Sequence, residues 1–268
     1  MLKTMIPPLD DAHHDHFSEH GWVLVPAVLP PAECVRLIAI IDRLAASRVG
    51  LGVFPITPDT VQLDNLPLLD GAFLDWLAWP GLLAAARRLM ESDLRLQGMI
   101  AHRKQPHPER HGEAAARLRD PVGFGWHRGL RPRWGITASE RRQGARCASF
   151  VNVITYLTAI APGDGGTAIL DGSHVHEGDY GSLCGRLPVI EVTAPAGSVM
   201  LFSETLIHAG CPILSERTRY NFYTEFVQPW CASHGGYEIP DALRRMVSDP
   251  ELRAVLGPPA WRGQEAVG

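Results

Sequence analysis

The chain has 268 residues, 46% of them hydrophobic and 20% charged. Its 25 basic and 29 acidic side chains leave a formal charge of −4. Such apolar content excludes a disordered chain, and the weak negative charge gives no general attraction to nucleic-acid polymers or membrane surfaces.

Trp22 to Val25 reads as a short strand ended by Pro26. A helix is predicted over 31–46, where Cys34, Leu37, Ile38, Ile41 and Leu44 keep the spacing of one buried face. Pro31 suits its first turn, and Glu33 favours the positive end of the dipole. Residues 50–70 are rich in Pro, Gly and Asp and read as loop. A second helical stretch is predicted over 72–90, broken near Pro80 and Gly81. The segment 94–104, LRLQGMIAHRK, reads as a strand, and the polar 105–125 as an irregular loop placed to cover a site.

From residue 147 the punctuation changes. CASFVNVITYL, GTAIL, VIEVTA, GSVMLFS and RYNFYTEFV are short, β-branched or aromatic runs bounded by Gly, Pro and Asp. In the last of them Arg219, Asn221, Tyr223 and Glu225 share one face, and Tyr220, Phe222, Thr224 and Phe226 the other. Burying the aromatic face leaves a polar face to line a barrel interior. The expected fold is mainly β with flanking α, a jelly roll buttressed by N-terminal helices. No repeat or linker divides the chain. One domain over 1–268 is expected, with a helical part to about 93, a core over 94–228 and a C-terminal extension over 229–268.

Of the twelve histidines, His13, His14, His16, His20 and His234 read as solvated surface residues. His107 and His111 flank Glu109 in PHPERH, where two prolines oppose the helix that would align them on a metal. His174 and His176 lie in LDGSHVHEG and suit a turn. Two others stand out by context: His127, in FGWHRGL before the strand-rich half, and His208, in GSVMLFSETLIHAG at the end of a strand. Arg219 opens the next strand, eleven residues after His208.

The opening HFSEHGWVLVPAVLPPAECVRLIAIIDRL resembles the N-terminal segment of phytanoyl-CoA dioxygenase-like proteins. NVITYLTAIAPGDGGTAILDGSH and the His208-to-Arg219 stretch resemble later parts of the same family, so the likeness covers most of 15–228. It implies a double-stranded β-helix holding non-haem Fe(II), with 2-oxoglutarate and dioxygen as co-substrates. By position, His127 and His208 would be the iron-binding histidines, and Arg219 would grip the distal carboxylate of 2-oxoglutarate. Neutral imidazole suits Fe(II), and a guanidinium fork suits a carboxylate. Asn152 and Ile154 would line the same pocket, with Asn152 donating to the keto acid and Gln97 a weaker candidate.

The family's carboxylate ligand usually sits two residues after the first histidine, as His-x-Asp. Here the run is His127-Arg128-Gly129, and Gly has no ligand atom. A missing carboxylate vacates a coordination position and leaves the centre one unit more positive; chloride can satisfy both needs. On this resemblance to iron halogenases, Gly129 would be the halide slot of an enzyme that chlorinates an unactivated carbon by hydrogen abstraction and halogen rebound. Two other readings stay open. Glu204 or Glu225 replaces the lost carboxylate and the enzyme is a hydroxylase, or the site is inactive and the chain is a binding module.

Arg128, Arg131 and Arg133 open a basic segment over 128–146 that reads either as a solvated loop or as a clamp for an anionic small molecule. Trp126 and Trp134 could stack on a planar ring. A phosphorylated metabolite such as a nucleotide is the expected substrate class. No apolar run reaches the roughly 20 residues of a membrane span, and the first residues lack a signal-peptide pattern. Five scattered cysteines without a CxxC pair fit a reducing compartment, so a cytoplasmic location is expected.

Overall fold

The computed structural model describes residues 5–47, 52–129, 148–232 and 239–260. Strands β1 (Trp22–Val25), β2 (Val53–Thr57), β3 (Thr60–Leu63), β4 (Arg95–Lys104), β5 (Phe150–Tyr156), β8 (Val199–Ser203) and β10 (Arg219–Val227) form a seven-stranded sheet. Its order is β1-β8-β5-β10-β4-β3-β2, antiparallel throughout. Strands β6 (Thr167–Leu170), β7 (Val189–Glu191) and β9 (His208–Gly210) form a second sheet in the order β7-β6-β9. Ile154, Tyr156, Met200 and Phe202 of the large sheet share one buried cluster with Ile169 of the small one. This is the expected jelly roll, two antiparallel sheets closed over a shared interior.

The helices cover the other face of the large sheet. Asp10 caps helix α1 (Asp11–His20) by accepting from the His13 N–H at 2.9 Å. Gly21 ends it at φ 84°, where any side chain would strike the His174 ring. Helix α2 (Pro31–Ser47) buries Cys34, Leu37, Ile41 and Leu44, the stripe its spacing predicted. After the short α3 (Leu66–Leu69), the second helical stretch is split as expected into α4 (Ala72–Leu77) and α5 (Leu82–Met90). Phe73 and Trp76 of α4 meet Phe222 of β10 edge-on at 5.8 and 5.3 Å, and Trp76 Nε1 donates to Thr224 Oγ1 at 3.0 Å. Burying each such aromatic contributes about 2–3 kcal/mol, which fixes the aromatic face of β10 towards the helices. The polar face of β10 is thereby turned into the jelly roll.

Three expectations need correction. Residues 53–63 are not loop: β2 and β3 make a hairpin whose Thr60–Leu63 run pairs with β4. Pro55 is tolerated because β2 is an edge strand. His14 is buried rather than solvated, its Nε2 lying 3.5 Å from Glu91. His20 is tied to Asp171 at 2.7 Å, so it pins α1 to the turn after β6. His234 and the residues Arg131, Arg133 and Trp134 lie outside the described residues. Residues 105–125 carry a short helix α6 (Glu113–Leu118) and the 3₁₀ turn Pro121–Gly123. Of the C-terminal extension, residues 239–260 pack back on the body, with Leu252 and Val255 in the main core. No helix among the described residues is long and apolar enough to cross a membrane.

Candidate active site

His127 and His208 stand side by side. Their backbones exchange two hydrogen bonds of 2.9 Å, and their ring centroids are 4.3 Å apart. His208 opens β9 rather than ending a strand, because Leu206 and Ile207 complete the turn after β8. Each ring is held through Nδ1, from His127 to the Gly125 carbonyl at 2.8 Å and from His208 to the Leu206 carbonyl at 2.9 Å. A carbonyl only accepts, so each Nδ1 carries the proton and each Nε2 keeps its lone pair. Burial, and then the neighbouring His127, pushes the His208 imidazole down to about 3, so it stays neutral. His208 is buried, whereas His127 lies at the solvent rim.

Beside this pair the volume at Gly129 is filled. A Cβ on Gly129 would run into Glu204 Oε1, with Glu204 Cγ and Cδ at 2.7 and 2.8 Å. The Gly129 N–H donates to the Glu204 carbonyl at 3.2 Å, which holds the two segments together. Asn152 donates through Nδ2 to Glu204 Oε2 at 3.0 Å, so its amide is directed at this carboxylate and not at a keto acid. Burial raises the Glu204 carboxyl above its ordinary range. Glu225 sits opposite Asn152 in the ladder, and burial and then Glu204 push it up to about 7. Among the described residues no three His, Cys, Asp or Glu side chains are already closed around a common point.

The other end of the same interior is cationic. Arg219 is buried in register with Lys104, and its Nη1 donates to the Gly165 carbonyl. Its Nε is unpartnered, as are both side-chain polar atoms of the fully buried Asn221 one step along the face. Burial and then the Arg219 charge lower the Lys104 ammonium. Burial, and after it Arg219, pushes His102 down to about 3, and its ring faces Tyr223 edge-on at 5.1 Å. Tyr156 and Thr167 join the two sheets through a 2.9 Å hydroxyl pair.

Residues 17–221, most of the chain, match the sequence profile of the phytanoyl-CoA dioxygenase family. The chain belongs to that family. A curated relative, Dioxygenase af480 of Aspergillus fumigatus, is 23% identical over 270 residues, covering 96% of this chain and 79% of the relative. Among solved structures, the non-haem α-ketoglutarate-dependent epimerase SnoN of nogalamycin biosynthesis superposes with a TM-score of 0.64 at 16% identity, covering 87% of this chain and 86% of SnoN. HygX of Streptomyces hygroscopicus, with nickel, 2-oxoglutarate and hygromycin B bound, gives 0.63 at 19% identity over 88% of this chain and 94% of HygX. EctD of S. alaskensis, with 2-oxoglutarate and 5-hydroxyectoine, gives 0.64 at 15% identity over 85% and 79%. At these identities the structural likeness establishes the fold, and family membership makes the chain an oxidoreductase of the dioxygenase type.

Within this phytanoyl-CoA dioxygenase scaffold His127 pairs with His208, Gly129 meets Glu204 beside Asn152, and Ile154 and Arg219 belong to the strands paired around them, but not every residue singled out from sequence joins the site. Ile154 sits in the apolar belt between the sheets. Gln97 falls at the irregularity where β4 and β10 shift register, and its carboxamide accepts from Arg95 at 2.6 Å. Trp126 is already stacked on Tyr180 at 4.3 Å and donates to the Pro121 carbonyl, so its face is not open to a substrate ring. Arg128 donates to the His176 carbonyl at 3.0 Å. Sequence reasoning passed over Asn221 as a site residue, and the alternation of β10 was the signal for it; Lys104 was read as lying on the strand that borders the site.

A cavity of about 430 Å³ opens between the edge of the small sheet and the β2–β3 hairpin. Lys104, His107, Arg117, Phe124, Gly125 and Gly210 are among its walls, so residues 105–125 form one side of it. Gly125 links this cavity to the histidine pair, since its carbonyl holds His127.

Proposed function

We propose that the chain is an Fe(II)- and 2-oxoglutarate-dependent oxygenase that oxidises a small, anionic organic molecule. The observation that carries this reading is one interior with two lone-pair-bearing Nε2 atoms at one end and a buried, incompletely partnered Arg219 at the other. The donor set fits the metal, because neutral imidazoles with protein-held Nδ1 atoms are ordinary Fe(II) ligands. The other end fits the keto acid. Buried polar atoms without partners are rare, and the two unpartnered donors here, Arg219 Nε and Asn221 Nδ2, are groups that a carboxylate-bearing ligand would satisfy. When bound, the iron with 2-oxoglutarate and dioxygen supplies the oxidising power for a C–H bond. The chain's own residues do the rest. Arg219 and Lys104 fix the acid, His102 stays uncharged beside them, and the apolar belt of Ile154, Met200, Phe202 and Ile169 excludes water.

Chlorination is the second reading, and the absence of a ligand atom at Gly129 is what favours it. It requires an open position there, and the Glu204 carboxylate lies in that volume, where its charge repels a halide. Oxygenation is therefore the reading adopted. Lys104, which stands 3.9 Å from Asp59, and Arg117 line the 430 Å³ cavity and give it a net positive side that supports an acidic substrate such as a phosphorylated metabolite. The same reading takes 1–268 as one oxygenase domain acting in the cytoplasm.

Calorimetric titration of the Ni(II)-loaded protein with 2-oxoglutarate tests the assignment. Saturable binding that disappears in Arg219→Met supports it. No binding by the wild type, or equal binding by Arg219→Met, overturns it.

A further inference from the structure

We propose that Glu204 supplies the carboxylate ligand of the metal centre, in place of the residue two positions after the first histidine. The inference rests on the reading of His127 and His208 as the metal-binding pair.

Its first support is steric. The side chain that Gly129 lacks would point into Glu204, and the carboxylate of Glu204 fills that volume. Loss of a side chain at one position and occupation of its space from another are thus a single fact of packing. Any residue other than glycine at 129 would push Glu204 out, which gives Gly129 a reason that needs no halide.

The second support is the way Glu204 is held. Its N–H donates to the Phe150 carbonyl at 3.1 Å, and its carbonyl accepts from Gly129, so its backbone is fixed from both sides. The turn that follows is closed by Leu206 N–H donating to the Ser203 carbonyl at 2.8 Å and by a 2.8 Å pair between the Ser203 and Thr205 hydroxyls. Glu204 and His208 are therefore rigidly related, the two ends of one tight connection between the sheets.

The third support is an incomplete charge balance. Glu204 is 9% exposed, and its carboxylate is met by the neutral amide of Asn152 and, more weakly, by the His127 ring and the Gly129 N–H, none of them a full cation. A buried carboxylate without a cation is costly, and a divalent ion removes that cost. Asn152 holds Oε2, which leaves Oε1 on the Gly129 side for the metal. This is the pattern in which an outer hydrogen bond orients a ligating carboxylate. Glu225, half-buried on β10 opposite Asn152, supplies none of the three atoms nearest the Gly129 position. With a metal bound, His127, His208 and Glu204 would be the residues that hold it, with Asn152 steadying the carboxylate.

Anaerobic calorimetry and the visible spectrum of the Co(II)-loaded protein read the site without turnover. Glu204→Gln keeps the shape and is expected to weaken Co(II) binding by about ten- to a hundredfold and to change the Co(II) spectrum. The double variant Gly129→Asp/Glu204→Ala, which moves the carboxylate to the family's ordinary position, is expected to regain affinity over Glu204→Ala. Wild-type affinity and spectrum in Glu204→Gln overturn the proposal. So does a chloride-dependent rise in wild-type Co(II) affinity, which places halide in that position instead. His208→Ala separates the two levels of inference: unchanged Co(II) affinity there, or no Co(II) binding by the wild type, sinks the histidine pair itself. Loss in His208→Ala without loss in Glu204→Gln sinks only the role of Glu204.

Discussion

On the helix side of the seven-stranded sheet, Val151, Val153, Val199, Leu201, Phe222 and Phe226 join one cluster with Leu37, Phe73 and Trp76. The opposite face of the same strands carries Asn152, Arg219, Asn221 and Glu225 beside Ile154, Tyr156 and Phe202. The two faces treat buried polar groups differently. On the helix side Thr224 is satisfied by Trp76, although the Thr155 hydroxyl is unpartnered. Inside the jelly roll the unpartnered set includes Arg219 Nε, Asn152 Oδ1 and both polar atoms of Asn221. A face that packs for stability closes most of its hydrogen bonds, whereas one that awaits a ligand leaves a cluster of them open. The comparison assigns stability to one side of the sheet and function to the other, and substitutions on each side test that division.

The largest effect is expected on the helix side. Phe222→Ala removes a fully buried ring seated between Phe73 and Trp76 and should destabilise the fold by about 3–5 kcal/mol in urea titration. At temperatures where the variant remains folded, its affinity for 2-oxoglutarate should match that of the wild type. Arg219→Met is the counterpart on the inner face. Its loss of affinity for 2-oxoglutarate should reach about a hundredfold or more, while its unfolding midpoint changes little. If each variant lost stability and affinity together, the division between faces would fail.

Legibility from sequence follows the same line. The helix side was readable because apolar spacing is a local signal: the α2 stripe and the alternation of β10 appear in the structure as read. The β2–β3 hairpin was not, since its Pro- and Asp-bearing residues become strand only by pairing with β4. Burial of His14 was likewise hidden, because it depends on Glu91 approaching from the end of α5. At the candidate site the glycine at 129 was visible as a departure from His-x-Asp. What fills its space was not, because that depends on a turn far along the chain and on an amide from β5. The same holds for Trp126, whose stacking partner Tyr180 lies beyond the next two strands.

Glu225 sharpens the comparison through pH. The fold keeps its carboxyl protonated up to about 7, whereas the unfolded chain releases that proton near 4.5. Between those values the folded state binds more protons, so stability falls as the pH rises from 4.5 to 7. In metal-free protein, Glu225→Gln removes this loss and should stabilise the fold by on the order of 2 kcal/mol at pH 8, with no gain at pH 4. A gain of equal size at both pH values would assign the effect to packing rather than to the charge of Glu225.

Asn221 gives the smallest expected change and the sharpest discrimination. It is fully buried in the central strand β10, and neither side-chain polar atom has a partner among the described residues. Val suits a strand, and its substitution removes two unsatisfied groups at once. Asn221→Val should therefore stabilise the metal-free protein by about 1 kcal/mol while weakening 2-oxoglutarate binding several-fold. A residue kept for the fold would show the reverse, with lower stability and unchanged affinity. That outcome would mean that the open hydrogen bonds inside the jelly roll are satisfied by water and not reserved for a ligand, and the functional half of the comparison would lose its physical basis.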